Sequence, residues 1–229
     1  MKTVSIHQPG YLPWLGFFKK IMYSDVFVFL DDIEYAKRQY HNRNQIRTSQ
    51  GAHYLSVPVK KKSSDILNKI QLDYSTDWNL NHKKTIEYSY KKAKFFQDYW
   101  KFFDELYNKK FEFLIDLNLE IIKFILKELE IKTKTILSSE LDVMEKKSDR
   151  NLAICKKLDA EIYLSGFFGK NYLNENDFVK NKIKIEYQNF QHPIYEQLYE
   201  PFIPNLSIID LLFNEGKKTG KILKKAKNF

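Results

Sequence analysis

Three predicted strands of this 229-residue chain end in polar side chains that could do chemistry. The segments are "KTVSIHQ", "DVFVFLDD" and "EIYLSG", and their polar ends are His7 and Gln8, Asp31 and Asp32, and Ser165 and Gly166. In open α/β sheets, ligands bind beyond the carboxyl ends of parallel strands, so these side chains are expected to share one crevice. There an imidazole can act as a base, and a carboxylate can orient that imidazole or hold a divalent ion.

Each of these residues also has a structural interpretation. A histidine after a strand is more often a hydrogen-bonded structural residue than a base, and adjacent aspartates often cap a turn. "SGFFGKN" resembles a phosphate loop but is too short for a Walker motif, and Asn171 stands where a magnesium ligand would be. No GxGxxG, HExxH or CxxC pattern occurs, so the motifs support neither nicotinamide binding nor a zinc site, and no metal ligands are predicted.

The densest polar cluster is "YAKRQYHNRNQIR", residues 35–47. It holds three of the four arginines in the chain, Arg38, Arg43 and Arg47. Guanidinium groups bind carboxylates and phosphates in bidentate geometry, so the cluster is a candidate clamp for a diphosphate. The alternatives are a basic nucleic-acid surface with stacking tyrosines, or a surface strand whose arginines cluster by chance. His82, farther along, lies on a predicted amphipathic helix and is either a surface residue or a second base.

Composition limits the class of protein. The net charge of +9 comes mostly from lysines scattered along the whole chain, which argues against a dedicated nucleic-acid groove. The one cysteine, Cys155, cannot form an internal disulfide and fits a reducing compartment. The apolar runs fall far short of the ~20 residues of a membrane helix. The sequence therefore predicts a cytoplasmic protein without a membrane span.

The pattern of elements predicts the fold. Two continuous apolar runs separated by an amphipathic helix are typical of a β-α-β unit. "NQIRTSQGAHYLSVPV" predicts a hairpin, "NKIQLD" a further strand, and residues 77–130 a helical subregion. A helix capped by Ser148 follows and a last helix ends at Gly216, while the lysine-rich tail after Gly220 is expected to fray. We predict a single α/β domain over residues 1–229, with a mostly parallel sheet, flanking helices, an N-terminal hairpin and a helical middle segment.

The segment "SIHQPGYLPWLGFFKK", residues 5–20, forms a stiff elbow directly after the first strand. Its prolines and glycines restrict the backbone, and Tyr11, Trp14 and Phe17 crowd the turn. Such an elbow either fills the core or forms one wall of a binding site.

Taken together, these segments resemble a known family. "IHQPGYLPWLGFFKKI", the "LDD" strand end, "NRNQI", "LSG…GKNYL" and "FIPNLSIIDLLFNEG" occur in the order typical of WbqC-like proteins, from residue 5 to about 216. The pattern H-Q-P-x-Y-x-P-W-x-G-x-F is quite specific, and so is P-x-L-S-I-I-D-x-L near the end. Phe167 and Phe168 depart from the small residues more usual in the family.

The resemblance implies a bacterial cytoplasmic protein of O-antigen or other surface-polysaccharide biosynthesis. It suggests transfer of an acyl or aminoacyl group to a nucleotide-linked amino sugar, with a coenzyme A or carrier-protein thioester as donor. The alternatives are a metal-dependent glycosyltransferase or isomerase in which Asp31 and Asp32 hold the ion, and a non-catalytic nucleic-acid-binding module. The predicted catalytic residues are His7, Asp31, Asp32 and His82. The predicted substrate-binding residues are Gln8, Tyr11, Trp14, Arg38, Asn42, Arg43, Asn44, Ser165, Gly166, Lys170 and Tyr172.

Overall fold

A computed structural model describes residues 1–36, 39–60 and 65–228. Its centre is a five-stranded parallel sheet in the order β7-β2-β1-β8-β9. In chain order these strands are β1 (Thr3–His7), β2 (Val26–Phe29), β7 (Lys134–Leu137), β8 (Ile162–Ser165) and β9 (Lys184–Tyr187). The prediction of an α/β fold with a mostly parallel sheet is confirmed, and β1 and β2 are parallel neighbours with His7 opposite Phe29.

Two small antiparallel ladders lie outside this sheet. The predicted hairpin is confirmed as β3 (Arg43–Thr48) and β4 (Gly51–Ser56). The second ladder pairs β5 (Val59–Lys60) with β6 (Gln71–Leu72), so "NKIQLD" contributes a strand of only two residues.

Helices cover both faces of the sheet and build the middle of the chain. The α-helices are α1 (Leu15–Met22), α2 (Trp78–Tyr90), α3 (Phe96–Asn108), α4 (Leu114–Glu128), α5 (Lys147–Lys157), α6 (Glu175–Lys180), α7 (Ile208–Glu215) and α8 (Lys218–Lys225). Helices α2 to α4 confirm the predicted helical subregion. None of the helices in the described part of the chain is both long and apolar enough to cross a membrane.

Alternate residues of β1 and β2 face two separate cores, because successive side chains of a strand point to opposite sides. Phe27 and Phe29 belong to the larger core, with α1, the hairpin and the helical middle. Val4 and Val28 belong to the smaller core, with α5 and α6. Cys155 is fully buried in this smaller core, as expected for a small apolar residue.

The start of α5 and the C-terminal tail differ from the sequence prediction. Ser148 lies inside the first turn of α5, and its hydroxyl accepts a hydrogen bond from the backbone of Asn174 instead of capping α5. Helix α7 ends at Gly216 as predicted, but the segment beyond it forms α8. The buried ammonium of Lys19 donates to two carbonyls at the end of α8, which explains why the lysine-rich tail is ordered through Lys225.

The elbow after β1 is held by close packing. An added Cβ at Gly16 would lie 2.4 Å from the indole ring of Trp14, so only glycine allows that ring to fold over the start of α1. Tyr11 and Leu12 are completely buried, and Leu12 has a positive φ of 45°. The Asn44 side chain donates to the Leu12 carbonyl at 2.6 Å, which fixes this unusual turn from the hairpin.

Candidate active site

His7 ends β1 at the carboxyl edge of the sheet, on the side of β1 that α1 covers. Its ring makes an edge-to-face contact with Phe17, with 5.4 Å between ring centroids, and the side chain still reaches solvent. The Nδ1 atom lies 2.9 Å from the carbonyl oxygen of Gln8. A carbonyl can only accept, so Nδ1 carries the proton and the lone pair of the neutral ring is on Nε2.

The surroundings keep this imidazole neutral. Desolvation is the largest influence, the Lys20 ammonium adds to it, and together they lower the pKa of His7 to about 4, although the carbonyl of Gln8 acts in the opposite direction. At neutral pH, the exposed His7 side chain therefore carries an unprotonated Nε2 at the carboxyl edge of the sheet.

Gln8 connects His7 to the loop before the hairpin. Its side-chain oxygen forms a short hydrogen bond with Nε2 of His41. His41 is almost fully buried, and its Nδ1 has no hydrogen-bond partner among the described residues. In the sequence, His41 is only one residue of the basic segment 35–47, and its contact with Gln8 cannot be predicted because that contact depends on how the loop folds back.

Asp31 and Asp32 also lie at this edge, after β2, but other protein groups surround them. The Asp31 carboxylate accepts hydrogen bonds from Asn68, from the hydroxyls of Ser138 and Ser139, and from the Ser139 backbone, at 2.7 to 3.0 Å. Desolvation would raise the pKa of Asp31, but these donors outweigh it and hold the pKa below its usual value. A carboxylate so fully engaged is suited to fixing the β2 and β7 strand ends.

Asp32 pairs with a residue from α5. The Arg150 guanidinium lies 2.5 Å from its carboxylate, and the Ser138 hydroxyl contacts it as well. In the described part of the chain, no three histidine, cysteine, aspartate or glutamate residues are grouped closely enough to hold a metal ion.

His82, the other predicted base, lies in a buried cluster with Tyr11 and Tyr107. The Tyr11 hydroxyl is 2.9 Å from Nδ1 of His82 and forms a short hydrogen bond with the Tyr107 hydroxyl. His82 also hydrogen-bonds the Ser56 backbone, and burial lowers its pKa to about 4. The neighbours of His82 are core tyrosines and not the polar residues at the strand ends. Its hydrogen bonds to Tyr11 and to the Ser56 backbone connect α2 to the elbow and the hairpin.

We expect His82→Ala to destabilise the protein by about 1–3 kcal/mol, because it leaves buried hydroxyls without their partner. Urea unfolding of the variant and of His53→Ala, which removes an exposed histidine of β4, would measure the difference. Equal stability of the two variants would contradict a structural role for His82.

The remaining predicted residues that the structure describes lie in three places: the hairpin and the residue before it, the elbow at Trp14, and the end of β8. Asn42 and Asn44 bind backbone carbonyls of Val57 and Leu12, while the Arg43 guanidinium lies 4.9 Å from the ring centroid of Tyr54. Trp14 is half-buried against Phe190. Arg38 lies outside the described residues.

The end of β8 forms the third place. Ser165 is buried, and the exposed side chains Phe167 and Tyr172 flank the loop after Gly166. The Lys170 ammonium lies over the rings of Phe167 and Tyr187. An open depression of about 330 Å³ elsewhere, lined by Tyr74 and Phe111 among others, contains none of the predicted site residues.

The specific segments of the sequence therefore build one structural unit: the elbow, the hairpin and the start of α7. Ser207 caps α7 and bridges to Trp14, and its backbone N–H donates to the Gln45 carbonyl at 2.8 Å. The model of the WbqC-like protein family matches residues 8–222, which include the hairpin, the start of α7 and the elbow from Gln8 onward. The chain belongs to the WbqC-like protein family.

A curated relative supports this membership. An uncharacterized protein of Mycobacterium tuberculosis is 32% identical over 228 residues, which is 98% of both chains. No solved structure gives a significant match. The WbqC-like assignment thus rests on nearly full-length sequence similarity.

Proposed function

We propose that this WbqC-like protein transfers an acyl or aminoacyl group from a thioester to the amino group of a nucleotide-linked amino sugar, with His7 as general base. The observation that carries the proposal is the Nδ1 hydrogen bond to the Gln8 carbonyl, which leaves Nε2 of an exposed, neutral imidazole as a proton acceptor. His82, by contrast, uses its ring to bind Tyr11 and the Ser56 backbone. We therefore assign the base to His7.

The reaction requires one proton to be moved. The sugar amine attacks the thioester carbonyl, the C–N bond forms, and the C–S bond breaks. Nε2 of His7 takes the proton that the amine loses and returns it to the departing sulfur, so the products are an amide and a free thiol. The oxyanion formed at the carbonyl needs hydrogen-bond donors, and the backbone N–H groups after β8 near Gly166 are the candidates. Either coenzyme A or an acyl or peptidyl carrier protein could present the thioester.

The roles of Asp31 and Asp32 follow from their partners. Asp31 binds four donors and Asp32 pairs with Arg150, so we propose that they fix the neighbouring strand ends on which the site is built. The metal-dependent alternative, a glycosyltransferase or isomerase, would require both carboxylates to give up these partners to an ion.

Transfer assays with nucleoside-diphosphate amino sugars and coenzyme A or carrier-protein thioesters test the proposal. We expect release of a free thiol and a matching mass increase in the sugar nucleotide, both insensitive to a metal chelator. Turnover abolished by the chelator and restored by a divalent ion would favour the metal-dependent enzyme. Tight binding of random oligonucleotides, with no affinity for the sugar nucleotides, would instead support a nucleic-acid-binding module.

Arg43 is proposed to bind the diphosphate of the nucleotide. Arg43→Lys should weaken nucleotide-sugar binding by about 1–3 kcal/mol, because an ammonium cannot reproduce the bidentate guanidinium contact. Calorimetric titration measures this difference, with Lys60→Arg in the neighbouring β5 strand as a control for general charge effects. An unchanged dissociation constant would show that Arg43 serves only the hairpin surface.

A further inference from the structure

One stripe of α1 faces β1. Phe17 contacts the ring of His7, and about two turns later the Ser24 hydroxyl, just past the helix, donates to the Ser5 hydroxyl at 2.7 Å. Residues spaced three and four apart lie along the same side of a helix, so Lys20 falls on this stripe between the two contacts. The sequence therefore places an ammonium against the strand that ends in His7.

The Lys20 ammonium is buried and lies beside the backbone of His7. Lys20 is 2% exposed, and its Nζ donates to the Ile6 carbonyl at 3.0 Å, the oxygen of the peptide that joins Ile6 to His7. Among the described residues, none of the ion pairs involves Lys20. A buried cation without a carboxylate is costly, so stability alone does not explain why a lysine occupies this position.

We propose that Lys20 is a positioning residue whose positive charge, held against the peptide that joins Ile6 to His7, keeps the imidazole in its neutral, proton-accepting form. The proposal rests on the proposed function, because a neutral imidazole matters only if His7 acts as a base. Lys20 would act through His7, without touching the substrate.

The electrostatics agree with this geometry. After desolvation, the Lys20 charge is the next largest influence that lowers the pKa of His7, and His41 has a smaller effect in the same direction. Burial lowers the pKa of Lys20 itself to about 7, so Lys20 is still protonated over the range in which His7 titrates. Below about pH 7, where Lys20 is charged, an imidazolium formed during the reaction lies beside a cation, which favours passage of its proton to the departing sulfur.

The neighbouring lysine provides a matched control. Lys19 is also fully buried on α1, but its ammonium donates to the carbonyls of Leu223 and Lys224, both at 2.8 Å. These carbonyls lie at the C-terminal end of α8, where a cation is favourable. Lys19 and Lys20 thus share residue type, helix and burial but differ in whether they lie beside His7.

NMR titration of the histidine side chains in the full chain tests the proposal. The His7 signal is assigned by its loss in His7→Ala. In Lys20→Met and Lys20→Gln we expect the pKa of His7 to rise by about one unit, while remaining below 6.5 because the desolvation persists. The glutamine variant retains a donor for the Ile6 carbonyl, which separates loss of charge from loss of the hydrogen bond. In Lys19→Met the pKa of His7 should not change.

The acid limb of kcat/KM gives the second measurement. A base must be unprotonated, so the rate falls as pH drops through the pKa of His7, and this limb should move to higher pH in both Lys20 variants. Folded Lys20 variants with an unchanged His7 pKa would overturn the proposal. If neither variant folds, a His7 pKa at or above 6.5 in the wild-type protein overturns it equally.

The two proposals fail in different ways. If His7→Ala retains full turnover while the His7 pKa still depends on Lys20, the assigned base is wrong but the electrostatic coupling exists. If His7→Ala loses turnover and the pKa ignores Lys20, the base stands and the role of Lys20 is refuted.

Discussion

Replacement of His7 by alanine should lower turnover by about 10²–10⁴-fold, the range for loss of a general base. Affinity for the nucleotide sugar should change little, because the proposed contact with the diphosphate comes from Arg43 of the hairpin. Steady-state kinetics together with calorimetric binding separates the two effects, since loss of an interaction made only in the transition state lowers kcat and kcat/KM equally.

The control for this experiment is His53→Ala, which removes an exposed histidine from β4 and should leave turnover unchanged. His7 itself is accessible at the end of β1, so its truncation should perturb the fold little. A folded His7→Ala variant with full turnover would make His7 a structural residue that anchors the turn through the Gln8 carbonyl.

Several features of the fold follow from local sequence. The apolar runs that end in His7 and Asp31, with a helix between them, suffice to predict two parallel neighbours, because only a crossover of that length returns the chain in parallel. The two cores could also be anticipated, since alternate residues of a doubly covered strand must face opposite sides.

The partners of the site residues could not be predicted in the same way. Asp31 meets Ser138 and Ser139 from the end of β7, more than one hundred positions away, and no local pattern encodes that contact. His82 has the helical spacing of a surface or a core residue, and only the packing of α2 against Tyr11 and Tyr107 distinguishes the two.

The burial of Lys20 also depends on partners that are distant in the sequence. Two adjacent lysines in an amphipathic helix normally indicate its solvated face. Here α8 covers one of them and β1 covers the other, because α1 is packed between the sheet and a helix formed by the tail. The sequence predicted a frayed tail where the structure has α8, the helix that buries Lys19. The burial of this pair of lysines was therefore not predicted.

The closing segment of the family pattern contains a buried carboxylate whose loss should have a large effect on stability. Asp210 on α7 is fully buried and accepts hydrogen bonds from Tyr90 at 2.9 Å and from Tyr195 and Gln197 at 2.8 Å. The guanidinium of Arg47 is buried nearby and attracts the carboxylate. These partners come from α2, the hairpin and the segment before α7, so one side chain ties three parts of the chain together.

We expect Asp210→Ala to destabilise the protein by about 3–5 kcal/mol, because it leaves buried donors and the Arg47 charge without their acceptor. Asp210→Asn should cost less, about 1–3 kcal/mol, since a carboxamide still offers one acceptor oxygen, though its NH₂ group faces the Gln197 donor. Urea unfolding at neutral pH measures both, with the exposed Asp149→Ala in α5 as the control.

The pH dependence separates charge from hydrogen bonding in this cluster. Desolvation raises the pKa of Asp210 above its unfolded value despite its three donors. The folded state therefore binds this proton more tightly, and the Asp210 contribution to stability declines as pH rises from the unfolded value through the folded one. The cost of Asp210→Asn should accordingly be greatest at acidic pH, where the neutral carboxyl is most favourable in the fold. A cost that instead grows steadily toward neutral pH would mean that attraction to Arg47 outweighs burial and that Asp210 is a buried salt-bridge partner.

In either case the loss of stability extends to the elbow, because α7 is hydrogen-bonded to the elbow directly. The backbone N–H of Ile208 in α7 donates to the Pro13 carbonyl of the elbow at 2.9 Å.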